Sequence, residues 1–361
     1  MTTAETTGET TGETTGGTTA EQEARVAKGR AGGDAERYIV GVDLGGTNIV
    51  LGAMTVDGTQ QFAMHAVPTH AELGADAVVG RIVEGVERVI AQTRAETGAR
   101  RDQFLGVGIG SPGPLDRERG IVIVTPNLGW RDFPLRDRVQ EGVKLRATLD
   151  NDANCATLGE WWIGAAKGAR HVIGLTIGTG IGGGLILDGK LYHGASDVAG
   201  EPGHATIDST GRRCKCGNYG CLEAYASGPA IAERAREALA GGEPSILPAM
   251  VGSDLSRITA ATIYAAAQEG DALAVQVVRD TARFLGTGIA NLLNIFNPEV
   301  VVLAGGVTQA GEALFEPLRA EVRRRAFKPA VDACRIVPGE LEGNAGVVGA
   351  VATFIQWHDI T

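Results

Sequence analysis

Between residues 204 and 221 the sequence reads HATIDSTGRRCKCGNYGC, bringing one histidine together with three of the chain's five cysteines. His204, Cys214, Cys216 and Cys221 offer an imidazole and three thiolates, a ligand set suited to tetrahedral zinc. Four protein ligands leave no coordination position for water, so such a zinc organises its loop and does not activate a nucleophile. The ring nitrogen of His204 that the metal leaves free becomes a fixed donor or acceptor facing outward. The other cysteines, Cys155 and Cys334, stand alone and read as small buried apolar residues.

Asp152, in LDNDANCATLGE, is the second candidate for chemistry. It stands where an apolar strand ends and a helix begins, a position at which Asn151 or Asp152 can serve as N-cap. A carboxylate at a strand's C-terminal end can also accept a hydroxyl proton during phosphoryl transfer. Both roles hold together through different carboxylate oxygens, or if Asn151 takes the cap. Phosphates could be held by two glycine-rich turns, DLGGTN with Gly45, Gly46, Thr47 and Asn48, and IGTGIGGG with Gly178, Thr179 and Gly180. Backbone N–H groups of such turns close around phosphate oxygens without a cationic cradle. Gly305 and Gly306, in VVVLAGGV, lie where a strand hands over to a helix, a usual place for ligand contact in open α/β sheets. The G-x-G-x-x-G matches at Gly108 to Gly113 and Gly178 to Gly183 fail as dinucleotide fingerprints. The first runs into Pro112 and Pro114 and the second into a strand-like run, so neither opens a helix.

These residues need a scaffold. From Tyr38 the sequence YIVGVDLGGTNIVLGAMTVDGTQQFAMHAVPT predicts three antiparallel strands, followed by a helix over 72–97. FLGVGIG and KLRATLD read as buried strands, and NDANCATLGEWWIGAAKG as helix. The segment HVIGLTIGTGIGGGLILDGKLYHG then repeats the opening: Gly41, Asp43 and Gly45 fall on Gly174, Thr176 and Gly178, 133 positions later. The Asp57-Gly58 turn falls on Asp188-Gly189 at 131. Such self-similarity suggests two related α/β halves enclosing a cleft. The remainder alternates helices near 229–241, 259–268, 271–296 and 311–326 with strands at EVVVLAGG and near Arg335, before a last helix from Gly346. The pattern is α/β. The expected organisation is a small domain over 37–149 and a large one over 150–345 carrying the metal loop, 204–221.

With 361 residues and 43% hydrophobic content, the chain can bury the core of two domains. A net charge of -10 leaves no basic patch for a phosphate backbone, so nucleic acid is not an expected partner. No stretch resembles a signal peptide or reaches transmembrane length, which predicts a cytoplasmic protein without membrane contact. Residues 1–36, built of Thr, Gly and Glu, cannot offset the entropy of ordering and are expected to be a disordered tail. Fifty-three glycines point to tight turns and to backbone brought close to a ligand.

The segments DLGGTN, TPNLGW, DNDAN, GTGIGGG, EPGHATID and CKCGNYGCLEAYASG run in order, with LEGNAGVVGA near the end. Together they resemble the ROK family of sugar kinases and repressors, from about residue 38 to 352. The resemblance implies an actin-like ATPase (ribonuclease H-like) fold, two α/β domains around a central cleft, with the last helix, 346–357, returning to the first domain. It implies Asp152 as the general base for a sugar 6-hydroxyl, with Asn127, Asn151, Glu201, His204 and Glu223 hydrogen-bonding the sugar. It further implies that the two turns hold ATP with Mg²⁺, that Gly305 and Gly306 lie near the adenosine, and that the zinc is structural. Repressors of the family carry a helix-turn-helix domain ahead of the first turn, and the 42 residues before Asp43 are too few for one. A kinase is therefore expected. Polyphosphate-using members lack the cysteine cluster, which makes ATP the expected donor. Two carboxylates and His204 around the ring favour glucose, with N-acetylmannosamine, N-acetylglucosamine or fructose as alternatives. A homo-oligomer, dimer or tetramer, is the expected assembly.

Overall fold

Two five-stranded sheets carry the chain, and both have the same strand order. The computed structural model describes residues 36–125 and 127–360. The stretch read as a disordered tail lies outside the described residues apart from Glu36. The first half contributes β1 (Tyr38–Leu44), β2 (Asn48–Thr55), β3 (Gln61–Pro68), β4 (Phe104–Ser111), β5 (Leu115–Asp116), β6 (Ile121–Thr125), β7 (Trp130–Phe133) and β8 (Arg146–Asn151). The second contributes β9 (Val172–Ile177), β10 (Ile181–Leu187), β11 (Lys190–Leu191), β12 (Val300–Ala304) and β13 (Arg335–Pro338). One sheet is ordered β3-β2-β1-β4-β8 and the other β11-β10-β9-β12-β13. In each, the first three strands of the half pair antiparallel and the last two join in parallel. The repeat read at an offset of 133 is therefore a repeat of topology.

Helices α1 (Ala75–Thr97), α2 (Leu135–Val143), α3 (Asp152–Trp162), α4 (Glu223–Ala226), α5 (Gly228–Ala240) and α6 (Leu247–Met250) lie along the chain in that order. They are followed by α7 (Ala260–Gln268), α8 (Ala272–Phe296), α9 (Glu312–Arg325), α10 (Lys328–Ala333) and α11 (Ala345–Trp357). Val78, Ile82, Val86 and Val89 of α1 recur at helical spacing and are buried against the first sheet. Gly98 ends the helix in a left-handed conformation, with φ 75°. Among the described residues no helix is long and apolar enough to cross a membrane. The small sheet β5-β6-β7 was not foreseen, because its strands have two, five and four residues and offer too little periodicity.

The long helices after the fifth strand of each sheet change sides. α3 follows β8 of the first sheet yet packs on β9 and β10 of the second. α11 follows β13 of the second sheet and packs on β1, β4 and β8 of the first. Glycine makes room for both. A Cβ at Gly108 would lie 1.8 Å from the Ala350 carbonyl oxygen, and one at Gly41 would lie 2.3 Å from that of Val347. Gly174 and Gly184 clear the Thr157 side chain in the same way, at 2.1 and 2.7 Å. Many strand glycines thus seat helices, where composition had pointed to turns and ligands.

The crossing predicts opposite outcomes for two alanine substitutions. Gly349→Ala would place its Cβ 1.5 Å from the Cys155 carbonyl oxygen and should destabilise the protein by about 3 kcal/mol or more. Gly80→Ala, in α1 with nothing within 4 Å of the new Cβ, should stabilise it by about 0.5–1 kcal/mol. Denaturant midpoints of both variants check the pair; a neutral Gly349→Ala would contradict the close approach.

Candidate active site and metal centre

The two glycine-rich turns occupy equivalent places. Gly45, Gly46 and Thr47 join β1 to β2, and Gly178, Thr179 and Gly180 join β9 to β10. Gly45 donates its N–H to the Asn48 carbonyl at 2.9 Å, and Gly178 donates to Gly180 at 2.9 Å. Thr69 braces the first turn, its hydroxyl donating to the Gly45 carbonyl at 2.7 Å and its N–H to that of Thr47 at 2.8 Å. The second turn is braced by the start of α5, where Gly228 donates to the Gly178 carbonyl at 2.8 Å. Gly46, Thr47, Gly178 and Thr179 are exposed, and Asn127 stands beside Gly46. Gly305 follows β12 at φ 98°, where a Cβ would meet the Ile177 carbonyl at 2.5 Å. Its backbone is fixed by packing, whereas Gly306 faces open space.

At the end of β8, Asn151 takes the cap of α3. Its side-chain oxygen accepts the N–H groups of Ala153 at 2.9 Å and Asn154 at 3.1 Å. Asp152 is the first helical residue, half-buried, with one oxygen accepting the Ala153 N–H at 2.8 Å. Burial holds its carboxyl above the usual carboxylate range, outweighing that hydrogen bond. Asp43, at the end of β1, was not among the expected site residues. Burial, and then the charge of Asp152, raise its carboxyl to about 7. Its Oδ2 lies against the start of α11, where a Cβ on Gly346 would come within 2.2 Å. The repeat held a signal for it, since Asp43 aligns with Thr176 and only one half keeps a carboxylate there.

Glu201 and His204 sit at the ends of the short 3-10 turn Pro202–His204. Burial raises the Glu201 carboxyl, the neighbouring His204 lowers it, and the charges of Asp152 and Glu223 raise it further. Glu223, at the start of α4, turns one oxygen to the Ile181 N–H at 2.9 Å, beside the second glycine-rich turn. Its other oxygen accepts from the Cys214 thiol at 3.6 Å.

His204, Cys214, Cys216 and Cys221 place their ligand atoms within 4.8 Å of one another. His204 Nδ1 is 3.8 Å from Cys214 Sγ, and Cys216 Sγ is 3.7 Å from Cys221 Sγ. Bonds of about 2.3 Å to sulfur and about 2.0–2.1 Å to nitrogen in a tetrahedron give edges on the order of these separations. The donor set therefore fits zinc, with Nδ1 of His204 on the side of the Cys214 thiol and Nε2 left over. The loop is shaped by backbone bonds from Cys214 to the Asn218 carbonyl at 2.8 Å and from Gly217 to that of Cys214 at 3.0 Å. Gly220 is required at φ 73°, where a Cβ would lie 1.6 Å from the Asp208 carbonyl oxygen.

The family model described as the ROK family matches residues 39–357. A glucokinase of Halalkalibacterium halodurans is 37% identical over 316 residues, covering 87% of this chain and 94% of the relative. A ROK family glucokinase from Streptomyces griseus, solved in complex with glucose and AMPPNP, superposes with a TM-score of 0.74 at 34% identity. That superposition covers 88% of this chain and 98% of the neighbour. A xylose repressor of Caldicellulosiruptor bescii is 37% identical over 253 residues, 70% of this chain and 63% of the repressor.

Asp43 makes a prediction that needs no substrate. An acid whose folded value is about 7, against about 3.9 when unfolded, keeps a proton in the native state that the unfolded chain releases. Its contribution is present at low pH and is lost as pH rises through about 7. Asp43→Asn, which mimics the protonated form, should gain melting temperature relative to wild type as metal-free buffer goes from about pH 5 to 8. A difference that does not change with pH would show that Asp43 ionises normally.

Proposed function

The chain belongs to the ROK family and is a hexokinase-type sugar kinase with that family's actin-like ATPase fold, and from that premise we propose that it transfers the γ-phosphoryl group of ATP to the 6-hydroxyl of glucose, with Asp152 as general base. The observation that carries the reading is the division of labour at the end of β8. Asn151 holds the first-turn N–H groups, which leaves Asp152 to act on a ligand. Its raised carboxyl suits it to taking the hydroxyl proton as the sugar oxygen attacks phosphorus and ADP departs. Asn127, Asn151, Glu201, His204 and Glu223 hold the ring hydroxyls. Glu223 can do so while bracing Ile181, because each carboxylate oxygen has two lone pairs.

The charge of Asp152 bears on Asp43 as a like charge, an arrangement that a divalent cation relieves. Asp43 is the residue that would hold the Mg²⁺ of MgATP, and that ion neutralises charge on the phosphates during transfer. The exposed turns at Gly45–Asn48 and Gly178–Gly180 take the phosphates through backbone N–H groups, and Gly306 leaves room for the adenosine. Zinc at His204, Cys214, Cys216 and Cys221 is structural, holding the loop that ends in Glu223. Glucokinases of three organisms, 36–37% identical over 86–87% of this chain, favour the kinase reading over a sugar-responsive repressor.

Asp152→Asn should keep the fold and bind sugar while kcat falls by about two orders of magnitude or more, the worth of general-base catalysis. Steady-state ADP release across a panel of hexoses and N-acetylhexosamines tests both base and substrate. Normal kcat with a lowered melting temperature would reduce Asp152 to a structural role, and a preference for an N-acetylhexosamine would displace glucose.

Cys216→Ala should release one zinc per chain and raise the sugar KM by about tenfold or more, as loss of a group supporting first-contact residues does. The ATP KM should rise less, through the contact of Glu223 with Ile181. Metal analysis with sugar titration decides it: full activity after complete chelation would exclude the structural role.

A further inference from the structure

Asp150 is the penultimate residue of β8, two residues before Asp152, and is 1% exposed, so its carboxylate must be satisfied inside the protein. Oδ1 accepts the Asn151 N–H at 2.8 Å and Nδ2 of Asn154 at 3.3 Å. Those donors belong to the strand end and helix that carry Asp152. Oδ2 lies 2.9 Å from Nε of Arg117 and 2.9 Å from Nε2 of His193. These two come from different places: Arg117 follows β5 in the first half, and His193 follows β11 of the second sheet.

The same tie is repeated four residues further on. Arg117 donates its backbone N–H to Asp197 at 3.1 Å, and its guanidinium is 3.9 Å from the other Asp197 oxygen. Ala199 donates to the His193 carbonyl at 3.1 Å, which closes the segment on itself. Gly200, at φ 88°, then passes close to Asn154, whose Oδ1 a Cβ would meet at 3.4 Å. Immediately after come Glu201 and His204. The segment from His193 to Gly200 is thus anchored to the first half at His193 and at Asp197, and it passes beside Asn154 of α3 where that helix sits on the second sheet; all three contacts lead to Asp150.

We propose that Asp150, Arg117 and His193 are positioning residues for the sugar: they hold the segment 193–204, and with it Glu201 and His204, in register with Asp152 across the two halves. They act through those three residues. The inference rests on the phosphoryl-transfer reading, and it adds a reason why one buried carboxylate is met by side chains from both halves next to the proposed base.

The experiment compares wild type with His193→Leu, His193→Gln and Asp197→Ala, measuring kcat, hexose KM, ATP KM and melting temperature. His193→Leu should raise the hexose KM by about tenfold or more, because displacements on the order of 1 Å in groups that orient substrate cost up to about a hundredfold. The ATP KM should stay within about twofold, since the phosphate turns are braced independently. His193→Gln keeps an N–H donor at the reach of Nε2 and should recover most of the sugar affinity. Asp197→Ala removes the second tie without unpairing the buried Asp150, and it should raise the hexose KM even if the leucine variant fails to fold. Variants that melt lower but keep the wild-type hexose KM would overturn the proposal alone. A wild type without hexose-dependent ADP release would remove the phosphoryl-transfer reading and the proposal with it.

Discussion

Where Gly159 of α3 meets Gly349 of α11 there is room for hydrogen atoms and nothing larger: a Cβ on Gly159 would stand 2.5 Å from the Ala345 carbonyl oxygen, and one on Gly349 closer still to that of Cys155. Each helix grows out of one sheet and seats on the other, so their contact fixes the two sheets relative to each other. It also fixes the two carboxylates. Asp152 is the first residue of α3, and Asp43 lies against Gly346 near the start of α11. Close-packed interiors do not deform smoothly, and a backbone contact deforms least. The separation of the site's acids is therefore set by helix packing, with the loops around them free to specialise.

That packing holds the acids in an electrostatically unfavourable place. Glu160 shows how a structural carboxylate is treated in the same helix: it is 1% exposed and accepts N–H groups from Ala165, Glu340 and Leu341 at 2.9–3.0 Å. Asp152 receives one such bond, and burial still keeps its carboxyl raised. Asp43 is governed by burial and by the charge of Asp152, and Glu201 feels both Asp152 and Glu223. Carboxylates left short of donors while others nearby are fully supplied are better explained by a ligand than by the fold.

The legible part of the sequence was whatever local chemistry dictates. The β1-β2 and β9-β10 hairpins, the order of helices and strands, the cap at Asn151 and the cysteine cluster all follow from spacing or from turn residues. The strand glycines were misread because sequence shows that a Cβ is missing and not what fills the space; Gly108 and Gly174 face helices distant in the chain. Asp43 went unnoticed because inside an apolar strand it looks like part of a turn motif, and only its three-dimensional neighbour Asp152 makes it unusual. Asp150, Arg117 and His193 are separated by 33 and 43 positions, and no period or motif connects them.

The metal loop joins this picture through Glu223 rather than through an open coordination site. A closed ligand set offers no position to substrate, so the ion can influence the site only by what its ligands touch. Cys221 stands two residues before Glu223, and Glu223 touches the Ile181 N–H at the edge of the second glycine-rich turn. His204, tied to the cluster through Nδ1, is also one of the groups that act on Glu201. The cluster therefore bears on both ends of the proposed transfer, the sugar through His204 and the phosphates through Glu223. A loop rich in glycine and exposed side chains could not hold two such side chains in place by packing alone, since Lys215, Cys216, Gly217, Asn218 and Tyr219 are all exposed. A metal ion held by His204, Cys214, Cys216 and Cys221 would supply the rigidity that burial elsewhere supplies to α3 and α11.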